Sequence, residues 1–187
     1  MSETKEDKPL PFIEGENISL CAANEDHINI YAAWMNNPKT RKYARYEMPQ
    51  TIEEIKKQFE PKKEPVKNDI FFEIWHKKDN KPIGYAGLKR IMWFTRNAHI
   101  YFLVDPEYWG RNLGTEAGRL IVDYAYKELN LHKITARTFA PNKASQRVIE
   151  KIGFKHEITL KKEVYIDGEH VDVIEYAIFK DNWMKSL

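Results

Sequence analysis

The run AHIYFLVDPEYWGRNLGTEA, from Ala98 to Ala117, has the residue types and spacing to hold a phosphate. Gly110 and Gly114 bracket Arg111, Asn112 and Leu113, with Thr115 immediately after. A strand enters this loop and a helix leaves it. The first N–H groups of a helix have no internal partner, and the helix dipole favours an anion beside them. Glycine allows a ligand close approach to the main chain. The reading is a pyrophosphate seated on the N–H groups of roughly Arg111 to Thr115. The alternative is a tight turn that binds nothing. Neither the dinucleotide fingerprint G-x-G-x-x-G nor the P-loop is present, so a phosphate site here belongs to another class.

The flanking elements follow from periodicity. Ala98, Ile100, Phe102 and Val104 alternate with His99, Tyr101 and Leu103, as in a strand with two distinct faces. Asp105-Pro106 ends it. Leu113, Ala117, Leu120, Ile121 and Tyr124 form a helical stripe. Upstream, Met1 to Pro11 is charged and carries two prolines, which reads as a loose tail extending to residue 16. A strand at Asn17–Ala22 and a helix at Glu25–Trp34 follow, then an irregular stretch Lys39–Pro49. Thr51 with Glu54 is a capping-box pattern that starts a short helix ending near Phe59. Strands are expected at Ile70–His76, Pro82–Ile91 and Leu131–Phe139. Gly84 and Gly87 inside the second imply a bulge or a close approach by another group. Pro141-Asn142 opens a helix that Gly153 closes. Asp167-Gly168 is a two-residue hairpin turn between Lys161–Ile166 and Glu169–Phe179. The order of elements describes one mixed α+β domain over residues 17–187.

Bulk properties narrow the function. The chain has 187 residues, 42% hydrophobic and 31% charged, which is ordinary for a folded globular domain. A formal net charge of +2 argues against a nucleic-acid partner. No apolar run is long enough to span a membrane, and no signal-peptide pattern opens the chain. The single cysteine, Cys21, rules out an internal disulfide and reads as a small core residue. The expectation is a cytoplasmic protein with no membrane partner and no metal. Trp93 and Phe94, or the edge of the last hairpin, leave a homodimer open.

Two motifs carry a resemblance. VDPEYWGRNLGTEA and, downstream, FAPNKASQRVIEKIGF together resemble the GNAT superfamily of acetyl-CoA-dependent N-acetyltransferases, and most closely its branch of ribosomal-protein N-terminal acetyltransferases. The family loop follows [QR]-x-x-G-x-[GA]. Here Trp109 stands first, Asn112 replaces the middle glycine and Gly114 stands last. Asn is the usual stand-in where a left-handed backbone is needed. The resemblance implies the GNAT fold, a mixed sheet of about seven strands splayed in the middle with flanking helices. It implies acetyl-CoA as co-substrate, its pyrophosphate on Gly110 to Thr115 and its pantetheine arm paired with backbone groups of Leu103 and Val104. Asn142 would meet the pantetheine or acetyl region, cap its helix, or do both.

The implied chemistry is direct attack of a primary amine on the thioester. The amine is most simply a protein or peptide N-terminus. A polyamine or aminoglycoside is the alternative acceptor, and a non-catalytic acyl-CoA sensor is the alternative class. The tyrosine that many relatives use as acid is replaced by Ile149, so Ser145 is the candidate to stabilise the departing sulfur. A base must take the ammonium proton. His99 stands where relatives carry a glutamate, and histidine accepts protons near neutral pH. In the hairpin, a two-residue turn would set Glu163 opposite Asp172. That like-charge pair would bind a cationic amine or raise one carboxyl pKa, unless Lys161 or Lys162 neutralises it. Glu47, in the variable early segment, is a further candidate for meeting the ammonium.

Overall fold

The structure, a computed structural model, describes residues 9–44, 48–59 and 66–185. Eight strands form one sheet: β1 (Pro11–Glu14), β2 (Ile18–Cys21), β3 (Ile70–His76), β4 (Lys81–Met92), β5 (Asn97–Val104), β6 (Lys133–Phe139), β7 (Lys155–Ile166) and β8 (Glu169–Phe179), in the order β1-β2-β3-β4-β5-β6-β8-β7. Every pairing is antiparallel except β5 with β6, which run parallel and pair only from Asn97–His99 to Lys133–Thr135. Beyond His99 and Thr135 the two strands part. That opening is the splay expected in the middle of the sheet.

Helices α1 (Ile28–Asn36), α2 (Pro38–Ala44) and α3 (Ile52–Phe59) precede β3, while α4 (Leu113–Lys127), α5 (Lys143–Ile152) and α6 (Lys180–Met184) lie later in the chain. The alternation in β5 divides the core as periodicity requires. Ala98, Ile100 and Val104 pack with Leu113, Ala117 and Ile121 of α4. On the opposite face Leu103 packs with Tyr31 and Trp34 of α1 and Ile55 of α3, with Tyr101 alongside. Burying the Ile, Val and Leu side chains among these contributes roughly 1.5–3 kcal/mol each, so the faces of β5 cannot exchange.

The local signals hold where their chemistry is local. The capping box closes as read: Glu54 N–H donates to Thr51 Oγ1 at 3.2 Å and Thr51 N–H to Glu54 Oε2 at 2.9 Å. Gly153 ends α5 at φ +122°, and Asp167 and Gly168 both have positive φ in the β7–β8 turn. Gly84 is required by close approach, because a Cβ there would meet the Leu103 carbonyl oxygen at 2.1 Å.

Three expectations need correction. The tail read as loose to residue 16 contains β1, which pairs with β2 and sets Phe12 on the rings of Phe72 and Tyr124. The stretch Lys39–Pro49 is not wholly irregular. Asn37 ends α1, and its side-chain oxygen then accepts from Lys39 N–H at 2.9 Å while Pro38 opens α2, a position suited to its fixed φ and missing donor. The hairpin register also differs. Ile166 faces Glu169 and Val164 faces Val171 as read, but the register then shifts so that Leu160 pairs with Val173, and Lys161 to Glu163 bulge opposite Asp172.

Candidate active site

A cavity of about 1670 Å³ runs from the N-terminus of α4, through the splay, to the face of the sheet that carries α1–α3. Its first part is the loop ahead of α4. Gly110 (φ +78°) and Asn112 (φ +60°) both adopt left-handed backbone, so asparagine takes here the conformation expected of a glycine stand-in. Among the described residues, no main-chain N–H from Gly110 to Gly114 donates to a backbone carbonyl. Thr115 differs, since its N–H donates to Asn112 O at 3.0 Å. Its hydroxyl, however, is buried without a partner. Orphan N–H groups, an orphan hydroxyl and open space over Gly110 fit a pyrophosphate. Two cations stand by: Lys151 Nζ donates to Asn112 Oδ1 at 3.2 Å, and Arg147 lines the same cavity. The Arg111 side chain turns away, its guanidinium stacked 4.8 Å from the Tyr108 ring centroid and donating to Glu107 O.

The second part is the splayed edge of β5. The Leu103 carbonyl points toward Gly84 of β4, not into the splay. Because backbone polar groups alternate sides along a strand, those of Phe102 and Val104 face the opening. The Val104 carbonyl already accepts from Trp109 Nε1 at 2.7 Å, which anchors the loop to the strand. Of the two residues expected to pair with a pantetheine arm, Leu103 is thus turned away through its carbonyl, and Val104 has its carbonyl taken. On the other wall, Asn142 caps α5, its Oδ1 accepting from Ser145 N–H at 3.1 Å. Both Asn142 and Ser145 line the cavity. Ile149, where relatives carry tyrosine, is a buried core residue.

The third part lies where the splay closes. Cross-strand register sets Lys89 beside His99 and His99 beside Thr135. The Thr135 hydroxyl and His99 Nδ1 share a hydrogen bond of 2.5 Å. Two residues beyond Thr135, Arg137 Nε donates to Glu175 on β8. Burial, followed by the charge of Arg137, pushes the His99 pKa below the ordinary histidine value, with Arg90 and Lys89 acting the same way and Glu175 opposing. His99 is therefore a neutral imidazole at pH 7. Thr135, Arg137 and Lys89 were not singled out from sequence. Their only signal was the alternation of β6 and β4, which assigns a face but not a neighbour.

The two hairpin carboxylates read as acceptor contacts do not assemble. Asp172 accepts from Lys161 Nζ at 2.8 Å and from Lys162 N–H at 2.9 Å. The Lys161 ammonium and that N–H hold its carboxyl below the usual range, opposite to the raised pKa that a like-charge pair would produce. The bulge removes Glu163 from the position facing Asp172. Glu47 lies outside the described residues.

Comparison with known proteins bears on the family and the fold. The acetyltransferase (GNAT) domain family matches residues 18–155. A probable N-acetyltransferase, YjcK of Bacillus subtilis (strain 168), is 36% identical over 121 residues, 63% of this chain and 67% of that protein. Spermidine N(1)-acetyltransferase of Escherichia coli (strain K12) is 30% identical over 106 residues, 57% of each chain, so the match spans little more than half of that relative. Among solved structures, spermidine N-acetyltransferase from Vibrio cholerae in complex with CoA and spermine superposes with a TM-score of 0.83 at 23% identity, covering 91% of this chain and 99% of that one. At that identity the likeness speaks for the fold.

Proposed function

The chain belongs to the GNAT acetyltransferase family, and from that premise we propose that it moves the acetyl group of acetyl-CoA to a primary amine by direct attack on the thioester. The observation that carries this reading is the continuity of one cavity from the orphan N–H groups of Gly110–Gly114 to His99. The residues divide the work. Gly110 to Gly114, with the Thr115 hydroxyl, hold the pyrophosphate. Asn142 keeps its side-chain N–H₂ for the pantetheine arm while its oxygen caps α5. His99, neutral and facing the cavity, takes the proton that the ammonium must lose before it can attack. The Ser145 hydroxyl donates a hydrogen bond to the departing sulfur. A hydroxyl of ordinary acidity stabilises a thiolate in this way without becoming its acid.

Two features bear on the acceptor. The motif resemblance to the N-terminal branch favours a peptide α-amine, and the names of the relatives favour a small amine such as a polyamine. The relatives are the stronger support; the hairpin pair expected to meet a cationic amine of either kind is not assembled and favours neither acceptor. The test is acetyl-CoA calorimetry beside free-thiol release against polyamines, aminoglycosides and N-terminal peptides. Binding with amine-dependent release is expected. Binding without release on any amine would overturn transfer in favour of a sensor, and no binding would overturn the phosphate site.

A further inference from the structure

The loop ahead of α4 presents its N–H groups only while its shape is held, and little inside it holds that shape. Gly110 and Asn112 adopt left-handed backbone, and among the described residues no main-chain N–H from Gly110 to Gly114 donates to a backbone carbonyl. The anchors come from elsewhere in the chain. Trp109 bonds the loop to the end of β5. A second anchor is Tyr108, which closes the short turn Pro106–Tyr108, is buried, and lines the cavity. Its hydroxyl donates to Asp79 Oδ2 at 2.5 Å. Asp79 stands in the turn between β3 and β4 and does not itself line the cavity. Its carboxylate lies 3.1 Å from Nδ1 of His76, the last residue of β3. The His76 ring meets the Tyr108 ring edge-on, with centroids 5.1 Å apart. The bond from Tyr108 holds the Asp79 carboxyl below its ordinary value against the effect of burial, with His76 and Lys81 acting the same way, so the acceptor is an anion at pH 7.

The Tyr108 ring also carries Arg111, whose guanidinium stacks 4.8 Å from the ring centroid. One side chain thus grips the loop on both sides of Gly110, before it through the main chain and after it through Arg111. Gly110 itself stays open, since a Cβ there would meet nothing within 4 Å. Accepting the pyrophosphate reading above, we propose that Asp79 is a positioning residue for acetyl-CoA: it fixes Tyr108, and Tyr108 fixes the loop so that the N–H groups of Gly110 to Gly114 converge on the pyrophosphate. A hydrogen bond to a carboxylate is roughly twice as strong as one between neutral groups. A loop held in its binding shape beforehand loses less freedom when the ligand arrives, and that saving appears as affinity. His99 is untouched by this arrangement, because the register of β5 with β6 places it. Asp79 therefore governs how tightly acetyl-CoA is held, not how the amine loses its proton.

The test is calorimetry of acetyl-CoA on the full chain and its variants. Tyr108→Phe and Asp79→Ala should each weaken binding by about fivefold or more. Both remove the same bond, so the double variant should be no more than about twofold weaker than the weaker single. Asp79→Asn, which keeps an acceptor oxygen but not the charge, should fall between the wild type and Asp79→Ala. In thiol-release kinetics the loss should appear in KM for acetyl-CoA rather than in kcat. A shortage of folded protein would do the reverse, lowering the apparent kcat and leaving KM. Affinity unchanged in both single variants, or losses that multiply in the double variant, would overturn the inference. Backbone amide order parameters of the unliganded chain, measured by NMR, separate it from the reading on which it rests. A wild type that binds no acetyl-CoA would sink the pyrophosphate reading by itself. Lower order from Gly110 to Leu113 in Asp79→Ala would then still support the hold of Asp79 on the loop, and equal order would overturn it.

Discussion

His99 is where residue-scale physics meets the proposed chemistry. Its imidazole is half-buried, bonded to Thr135 and ringed by Arg137, Arg90 and Lys89, and each of these charges favours the neutral form. The acid limb of kcat/KM for the free enzyme should therefore lie below the ordinary histidine value, with a plateau through neutrality. His99→Gln should lower kcat by about 100-fold, the scale of a lost general base, and abolish that limb. A variant that keeps both rate and limb would assign the proton to a water path instead. The sequence marked His99 by its place in the strand. It could not mark Thr135 or Arg137, whose roles exist only through pairing across β5, β6 and β8.

At the scale of elements, the junction of loop and α4 turns on one backbone conformation. Asn112 is the residue before Leu113 and sits at φ +60°, where β-branched side chains are strained. Asn112→Gly should hold acetyl-CoA within about threefold, because glycine takes that conformation freely. Asn112→Val should cost about 1–2 kcal/mol of strain, relieved by moving the loop, and weaken acetyl-CoA by about tenfold in calorimetry. Equal affinity for both variants would mean that the N–H groups do not bind the pyrophosphate. The β7–β8 hairpin shows the converse case. Its turn was legible, since Asp-Gly favours positive φ at both positions. Its register was not, because the bulge at Lys161–Glu163 is held by hydrogen bonds to Asp172 that no turn rule anticipates.

Across the whole molecule, the splayed sheet joins two cores and the cavity passes between them. The same burial that readies His99 for chemistry costs stability in acid. The unfolded chain binds a proton at His99 near the ordinary histidine value, while the folded chain binds it only at lower pH. Stability from this site is complete above about pH 6.5 and is lost as pH falls from there toward the lower folded value. Thermal melts between pH 7.5 and 5.5 should fall more steeply for the wild type than for His99→Gln. Parallel curves would place the imidazole in water rather than beside Arg137.

By itself, the sequence determined what short-range chemistry dictates: the alternation of β5, the capping box at Thr51, the glycine after α5, the hairpin turn, and a loop before α4 able to take a left-handed backbone. Those follow from side-chain period and φ preference within a few residues. The tertiary structure alone decided the edge strand at Pro11–Glu14, which four residues could not specify without Phe72 and Tyr124 to pack against. It also decided which backbone groups of β5 face the splay, the neutralisation of Asp172, and the row of cations around His99. Each depends on strands distant in sequence meeting in a particular register, and register is set by the burial of whole faces rather than by any local motif.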